Sequence, residues 1–462
     1  MTNSCMKRVF FLLLLGCPAL PMMAQKTIEV SVTNPSSQVR SDQSVVIQLG
    51  RYGKDFRSAL VTCEGKEIAC QLDDLDQDEC YDELCFLADL GKKEQKRYHV
   101  TLYTEGEPRP YPARVYAEML LRNQQDKKLK KNQHNTFIES ITARGDAAAT
   151  YYIQHHHGVD FESELNGIRI YFDARQTLDL YGKYQKRLEL KDTQFYTDPE
   201  QKAQGYGDDV LWVGQTFGLG AFRGWDGEKP TLVEPVRSRT QRIISYGPLR
   251  TIVELVDRGW KINKAAGNPL NASDSKGGEA AGNPLNASDS KGREAAGNPL
   301  NDGEAINMTV RYTQYAGHRD TDVDVFFNKD VSAYRFSTGI INVKGSQEFS
   351  DHRGLRACWG TDYPATDTLN WKRETVGLAV YVPQKYIASE ESANKDNYTY
   401  VLQVPGSAMH YKVSYTSANE TFGYHSANEW FSHLKTWKRE VEQPVIVKER
   451  ELPQKKEGKP SI

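Results

Sequence analysis

The residues with the clearest potential for chemistry lie in one short stretch, from His155 to Arg169. It holds three histidines, three carboxylates and an arginine among strand-forming residues. Histidines and carboxylates act as general acids and bases, and both are common ligands of metal ions. Interpreted as one strand with a period of two, the stretch places Glu162 and Glu164 on one face and Arg169 on the other. Such a strand either meets solvent and neighbouring strands or lies along the floor of a cleft, and the spacing is compatible with both.

Three other places bring polar and aromatic residues together. Asp209 lies close to Trp212, His318 begins a second polar strand that contains aspartates, and His425 follows a tyrosine. Each of these histidines either lines a site or is an ordinary surface or core residue. The segment around Trp212 is also rich in glycine, but its spacing does not match a dinucleotide-binding loop.

The sequence requires no cofactor, and a divalent metal ion remains an alternative. One set of ligands would be His155, His157 and a carboxylate from another strand. The glycines that flank the metal-binding strand of cupins are missing here. The acidic run at residues 73–83 contains aspartates at the spacing of the first three ligands of a calcium loop. It lacks the glycine and the final glutamate of such a loop. Either a calcium site or a solvated acidic turn is therefore compatible with this run.

Length and charge narrow the class of protein. The chain has 462 residues, enough for two or three domains, and a net charge of −2 that gives no reason to expect nucleic acid as a partner. Tyr numbers 25 and Trp 7. Such aromatic residues serve equally well in a β-sandwich core and in stacking against sugar rings.

The N-terminus predicts export. Residues 1–24 read as a signal peptide with a basic start and an apolar run too short to span a bilayer, so the protein is expected in the periplasm or at the cell surface. Alternatively, Cys17 is the lipid-anchored first residue of a lipoprotein. In an oxidising compartment, Cys63 with Cys70, or Cys80 with Cys85, would form disulfides.

The elements that must position these residues are strands. Alternating and β-branched runs predict a small β-sandwich over residues 25–105, a linker over 106–134 and a large all-β domain, a sandwich or barrel, over 135–441. Helical periodicity is clear only from Ala427 to Val441. A fifteen-residue repeat of small and polar residues predicts a disordered insert at 264–304, and the charged end predicts a disordered tail at 442–462.

Short motifs spread along the chain carry a family resemblance. They include His157-Gly158, Phe161-Glu162-Ser163-Glu164, Arg169-Ile170-Tyr171-Phe172, Asp179-Leu180-Tyr181-Gly182-Lys183, Gly207-Asp208-Asp209-Val210-Leu211 and Tyr246-Gly247-Pro248-Leu249-Arg250. At these motifs the chain resembles the domain-of-unknown-function 4861 (DUF4861) family. The resemblance implies an exported carbohydrate-active protein of Bacteroidetes loci that degrade pectin or ulvan. It also implies that the large domain is a galactose-mutarotase-like β-supersandwich.

Relatives in that family are associated with an oligosaccharide dehydratase activity, in which a non-reducing-end uronic acid loses water to give a 4,5-unsaturated sugar. The resemblance therefore implies an acidic oligosaccharide as substrate and a carbon–oxygen lyase as the enzyme class. Arg169 would hold the uronate carboxylate, His157 or Tyr171 would be the base, and Glu162, His156 or Asp209 would be the acid. Glu164, Trp212, His318 and His425 would contribute to substrate binding.

Three alternatives remain open. A polysaccharide lyase uses the same elimination but expels a sugar. A glycoside hydrolase needs two carboxylates, for which Glu162 with Glu164 or Asp209 would serve. A glycan-binding protein without turnover would tolerate substitution of His157 or Glu162 with a loss of affinity alone.

Overall fold

The computed structural model describes residues 24–122, 136–262, 305–366, 368–369 and 371–453. Strands dominate these ranges, which confirms the all-β prediction. Within them, no helix combines the length and the apolar content that crossing a bilayer demands. The predicted leader, apart from Ala24, and the predicted repeat insert at 264–304 lie outside the described residues.

The N-terminal unit is a small β-sandwich. Its strands are β1 (Ala24–Thr33), β2 (Arg40–Gln48), β3 (Ser58–Cys63), β4 (Lys66–Ile68), β5 (Cys70–Asp73), β6 (Glu83–Leu90) and β7 (Gln95–Tyr103). One sheet contains β1, β7, β3 and β4, and the other has the order β2-β6-β5. Alternate residues such as Ile28, Val45 and Phe86 face inward from both sheets and form a separate core.

The large domain follows. Its strands are β8 (Val115–Glu118), β9 (Ser140–Arg144), β10 (Gly158–Ser163), β11 (Gly167–Tyr171), β12 (Leu178–Gly182), β13 (Asp208–Asp209), β14 (Arg223–Trp225), β15 (Pro230–Thr231), β16 (Ser238–Tyr246), β17 (Arg250–Trp260), β18 (Ile306–Tyr315), β19 (Asp320–Phe327), β20 (Phe336–Ile341), β21 (Gln347–Ser350), β22 (Leu355–Asp362), β23 (Glu374–Tyr381), β24 (Ile387–Glu390), β25 (Asn397–Leu402) and β26 (Ala408–Ser417). Its helices are α1 (Leu190–Thr193), α2 (Pro199–Ala203) and α3 (Ala427–Glu442), and the chain then forms β27 (Ile446–Leu452).

A nine-stranded antiparallel sheet is the backbone of this domain, in the order β21-β22-β23-β26-β19-β18-β17-β16-β9. Two five-stranded sheets, β13-β12-β11-β10-β8 and β15-β14-β20-β25-β24, pack against it. Phe161 and Ile170 from the first small sheet, Phe336 from the second, and Tyr312 and Val323 from the large sheet meet in one buried core. The large domain is thus a sandwich built on one extended sheet.

Two predicted boundaries differ from the structure. Val115–Glu118 lies in the predicted linker but forms β8, which pairs with β10. Ile446–Leu452 lies in the predicted disordered tail but forms β27, an edge strand paired with β1. Its sequence looked disordered because an edge strand gains backbone hydrogen bonds without burying much apolar surface. Ion pairs such as Lys26 to Glu451 at 2.5 Å accompany the pairing.

The predicted disulfides are wrong. All five cysteines outside the leader are free thiols in the structure. Cys70 is buried in the core of the N-terminal sandwich, whereas Cys85 is buried on the opposite face of its sheet, near Arg250 of the large domain. Cys80 lies in the acidic loop.

The helix predicted from Ala427 to Val441 is confirmed as α3. Ser426 caps it by accepting a hydrogen bond from the backbone N–H of Glu429. Trp430 and Leu434, four residues apart, pack against the outer face of β22 and β23.

Candidate functional site

The stretch rich in histidines and carboxylates is a hairpin, not one strand. β10 and β11 are joined by a tight turn in which the N–H of Ser163 donates to the carbonyl of Asn166. The register pairs Asp160 with Arg169 and Glu162 with Gly167. Glu162 and Arg169 therefore share a face, and the single-strand interpretation is corrected. The chain reverses at Glu164 and Leu165, which a period of two treats as part of one continuous strand.

One face of the sheet β13-β12-β11-β10-β8 carries ionisable side chains, while the other enters the core. In β11, Ile168 and Ile170 are core residues and Arg169 between them points to the opposite side. We call this opposite side the polar face. It has two adjacent rows, Glu118, Asp160, Arg169 and Asp179 in one and Tyr116, Glu162, Tyr181 and Asp209 in the other.

Arg169 is held inside the polar face. One terminal nitrogen bonds to Asp179 at 2.6 Å and to Asp209 at 3.1 Å, and the other bonds to the hydroxyl of Tyr196 at 2.8 Å. Its side chain is only 3% exposed and lies over the ring of Phe195. Burial alone would lower the pKa of Arg169, but the facing hydroxyls and carboxylates raise it well above its usual value. Because both terminal nitrogens bond to neighbouring side chains, Arg169 organises this face. Its predicted contact with a substrate carboxylate stays a prediction.

Glu162 is part of a fully buried ion pair. Lys183 Nζ lies 2.5 Å from its carboxylate and also donates to the carbonyls of Ser163 and Arg187. The backbone N–H groups of Glu189 and Leu190 donate to the same carboxylate at 2.8 Å. This pairing anchors the segment that covers the polar face, and the role of Glu162 as an acid stays a prediction.

His157 lies at the end of β10, at the rim of the polar face. Its backbone has φ of 67°, a left-handed conformation that is unusual for a residue other than glycine. Its ring stacks on Tyr151 with centroids 3.9 Å apart, and Nδ1 lies 2.8 Å from the carbonyl oxygen of Tyr151. A carbonyl only accepts, so Nδ1 carries the proton and Nε2 keeps its lone pair. Burial lowers the pKa of His157 to about 4, which leaves the imidazole neutral at neutral pH.

Tyr171 and Arg175 lie beside His157. The ring centroids of Tyr171 and His157 are 6.5 Å apart, and the Tyr171 hydroxyl donates to Asp179. The guanidinium of Arg175 lies 4.8 Å from the Tyr171 ring centroid and 5.0 Å from that of Tyr151, and it pairs with Asp173. A neutral histidine, a phenol and a cation are therefore grouped at this rim.

His156 points to the interior and not to the rim. Its Nδ1 lies 2.7 Å from Asp160 Oδ1, and its Nε2 lies 3.7 Å from Glu118 Oε1. All three side chains are buried. Burial, together with the charge of Asp160, raises the pKa of Glu118, and burial likewise raises the pKa of Asp160. Glu118, His156 and Asp160 each offer an atom of a type that binds metal ions, and these atoms lie within 4.8 Å of one another. His157 faces the rim, and the predicted metal site with His155 and His157 stays a prediction.

Trp212 lies in a wide cleft next to this rim. The cleft has a volume of about 800 Å³, and the indole of Trp212 is 55% exposed. Arg175 connects the rim to this cleft, since its Nη1 donates to the carbonyl of Gly214 in the cleft wall. Asp209 is close as well, because it accepts a hydrogen bond from the N–H of cleft-lining Leu211 at 3.2 Å. Burial and the charge of Asp179 raise the pKa of Asp209 well above its usual value.

Three predicted binding residues lie elsewhere. Glu164 accepts from Arg114 and from the N–H of Gly317, at the far end of β10, about 20 Å from His157 at the usual rise per residue. His318 bonds to the carbonyl of Asp42 in the N-terminal unit and lines a second cleft of about 280 Å³. His425 is exposed before α3 and bonds to the carbonyl of Ala418. The structure does not bring these residues to His157 or Trp212.

Several residues of the polar face and its rim were not predicted from the sequence. Glu118, Asp160 and Asp179 come from three strands and meet only through the register. Tyr151 precedes the polar stretch and Arg175 follows it, each with an ordinary sequence context. The only feature of the sequence that could have identified Tyr151 and Arg175 is that they lie close to the stretch from His155 to Arg169.

A family model described as "Domain of unknown function (DUF4861)" matches residues 32–275 and 295–447. The chain belongs to this family. The matched ranges include every residue of the polar face, of the His157 rim and of the Trp212 cleft. No curated protein matches the chain.

Solved structures similar to this DUF4861 member include two proteins from Enterococcus faecalis. One is a protein in glycosyl hydrolase family 38, 10% identical with a TM-score of 0.44, covering 93% of this chain and 48% of that one. The other is an alpha-mannosidase from strain V583, 10% identical with a TM-score of 0.42, covering 95% of this chain and 47% of that one. The chain thus spans about half the length of these neighbours.

Proposed function

We propose that the protein acts on an acidic oligosaccharide and eliminates water from a non-reducing-end uronic acid, leaving a 4,5-unsaturated sugar. The observation that carries this proposal is His157. It is a neutral imidazole whose Nδ1–H is committed to the carbonyl of Tyr151, so that Nε2 is the basic atom. In the part of the chain that the structure describes, Nε2 has no hydrogen-bond partner.

The elimination balances with two side chains. His157 Nε2 takes the proton from C5, the electron pair of that bond forms the C4–C5 double bond, and the C4–O bond breaks. The hydroxyl of Tyr171 exchanges its hydrogen bond to Asp179 for one to the departing oxygen and gives that oxygen its proton, so that it leaves as water. Proton exchange with solvent then restores both side chains.

Arg175 is the cation that suits the uronate carboxylate. The negative charge that develops at C5 is delocalised into that carboxylate, so a nearby guanidinium stabilises the transition state. Arg175 lies against the rings of both Tyr151 and Tyr171 and is partly exposed. It replaces Arg169 in the role that the family resemblance implied.

The cleft suits a chain of sugars that carry negative charge. Trp212 offers an exposed aromatic face of the kind that stacks on sugar rings. The cleft lining carries Lys229, Lys344, Lys395 and Arg223 against Asp362 and Asp396. The lining is therefore cationic on balance, which favours acidic over neutral oligosaccharides.

The test is to incubate the purified protein with uronate-capped fragments of pectin, ulvan and glycosaminoglycans. Absorbance of the 4,5-unsaturated uronate would be followed together with product masses. A product lighter by one water with no shortening of the chain is the expected result. Two shorter products with the same absorbance would indicate a polysaccharide lyase, and shorter products without absorbance would indicate a hydrolase. Binding without any product would overturn catalysis on these substrates.

Variants assign the roles. His157→Gln and Tyr171→Phe are expected to lower the rate at least about 100-fold with the substrate still bound. Arg175→Met is expected to weaken substrate binding and turnover together. The matched control is His99→Gln, since His99 is exposed on β7 of the N-terminal unit. Wild-type turnover by a folded His157→Gln variant would refute the assignment of the base.

A further inference from the structure

A small cavity lies between the N-terminal unit and the end of α3. It has a volume of about 200 Å³. Its lining comes from the loop between β1 and β2, from the start of β2, from the turn between β6 and β7, and from the last turns of α3. Of the described residues that line it, three are cations, Arg40, Lys93 and Arg439, and one is a carboxylate, Glu440. The cavity therefore has an excess of positive charge.

Arg40 is a buried cation whose guanidinium lacks acceptors. The residue is 2% exposed, and among the described residues its Nε and Nη1 make no hydrogen bond although both are buried. The charge of Glu440 raises the pKa of Arg40, but burial outweighs that effect, so the pKa is lowered. Burying a charge without full compensation is costly, because the charge loses its hydration. An anion in the cavity would supply the missing negative charge and acceptors.

Other lining groups have donors left for such an anion. Lys93 Nζ donates to the carbonyl of Pro35 and keeps two further N–H groups. Ser36 Oγ accepts from the N–H of Gln38 at 3.0 Å, so its O–H is left to donate. Arg439 uses one nitrogen for a bond within α3 and keeps the others. Lys93 and Arg439 are exposed, so their side chains can turn toward an ion in the cavity.

We propose that this cavity binds one tetrahedral oxyanion, a sulfate or phosphate group that is either free or carried by a sugar. The three cations outweigh Glu440 and the negative end of the α3 dipole, which is equivalent to about half an elementary charge. A doubly charged anion balances that excess. Its oxygens accept from donors on several sides, and the planar fork of a guanidinium fits two of them. The cavity shares no described lining residue with the Trp212 cleft, so the inference is independent of the proposed elimination.

An anion held here would join the two parts of the chain. Arg40 and Lys93 belong to the N-terminal unit, whereas Arg439 lies on α3, which packs on the large domain. A ligand that binds only the folded chain stabilises it, so binding should raise the melting temperature.

The experiment titrates the purified full chain with sodium sulfate, and separately with sodium phosphate, by calorimetry at an ionic strength held constant with sodium chloride. One anion per chain is the expected stoichiometry, with a rise in melting temperature at millimolar sulfate. Galactose 6-sulfate and glucose 6-phosphate distinguish the sources. Tighter binding of a sugar ester than of the inorganic ion indicates a group carried by a glycan, and the reverse indicates a free ion. Glucuronate, a planar carboxylate, is expected to bind at least about tenfold more weakly.

Variants locate the site. Arg40→Met is expected to weaken sulfate binding at least about tenfold and Lys93→Met at least about threefold, and both should remove most of the rise in melting temperature. Glu440→Gln is expected to strengthen binding about threefold, because it removes a like charge. Circular dichroism would verify folding, and exposed Lys93 keeps the test decisive if Arg40→Met does not fold. Arg97→Met, which removes an exposed arginine of β7, is the matched control and should bind as the wild type does.

Three results would overturn the proposal. The first is a wild type that binds neither sulfate nor phosphate nor their sugar esters. The second is wild-type affinity in folded Arg40→Met with loss of binding in Lys344→Met, which would place the anion in the Trp212 cleft. The third is tighter binding of glucuronate than of every sulfate and phosphate compound, which would exclude a tetrahedral ligand.

Discussion

Replacing Lys183 by methionine tests whether the Glu162–Lys183 pair is structural. Both side chains are fully buried, and Lys183 Nζ makes three hydrogen bonds, to Glu162 and to the carbonyls of Ser163 and Arg187. Methionine matches the length of the lysine stem but donates no hydrogen bond. The change leaves the buried carboxylate of Glu162 without its positive partner and removes the donor to the carbonyls of Ser163 and Arg187.

The expected loss follows from that geometry. Removing one partner of a buried ion pair costs about 3–5 kcal/mol. The two backbone N–H groups that still bond to Glu162 favour the lower part of that range. In a domain of this size, 1 kcal/mol corresponds to about 2–4 °C in melting temperature, so a decrease of about 6–20 °C is expected.

The assay is urea and thermal denaturation of Lys183→Met, Glu162→Gln and the double variant. Because the residues are in contact, the double variant should lose less than the sum of the single losses, by about 1–3 kcal/mol. Lys186→Met is the matched control, since Lys186 is exposed three residues further on and should change stability by less than about 0.5 kcal/mol. A Lys183→Met variant as stable as this control would refute the reasoning. So would a fully stable Glu162→Gln variant that has lost all turnover, because that result would restore Glu162 as a catalytic acid.

Three further predictions concern other parts of the molecule. Thiol labelling of the native protein should spare Cys85 and Cys358, because burial raises the pKa of each thiol to about 12. Denaturation should make both thiols react. Labelling of either cysteine in the native protein would contradict this expectation. Deleting β27 should lower the melting temperature of the N-terminal unit by uncovering the edge of β1, as monitored by hydrogen exchange in β1. Burial raises the pKa of Asp320, but Lys412 and His318 lower it, and it ends well below its usual range. The stabilisation is therefore fully present above the unfolded pKa near 4 and declines as the pH falls below it. Asp320→Asn should destabilise the protein most at pH 7, and the loss should shrink by about 1.4 kcal/mol for each pH unit below 4.

The local features of the fold were predictable from sequence. α3 has a clear apolar spacing and a serine cap, and both act within a few residues. The strands of the N-terminal sandwich alternate visibly, and turn residues separate them. The all-β class follows from such patterns, because strand periodicity is written in neighbouring residues.

Pairing was not predictable, because it joins residues that are distant in the chain. β27 pairs with β1 across more than 400 residues, and nothing local distinguishes it from a charged tail. β8 is short and has its partner forty residues later in β10. For the same reason the sequence does not predict that Glu118 lies beside Asp160.

The density of charge in the stretch from His155 to Arg169 drew attention to the sheet of the polar face, where much of that charge is paired internally. Charged groups placed on a covered face must satisfy one another, and so Glu162 binds Lys183 and Arg169 binds Asp179 and Asp209. Groups bound in this way hold the sheet and its covering segment in place but are not available to a substrate. The group with capacity to spare is the neutral imidazole of His157 at the rim, whose Nε2 keeps its lone pair. Substitutions in the interior of the polar face should therefore lower stability first, and substitutions at its rim should lower rate first.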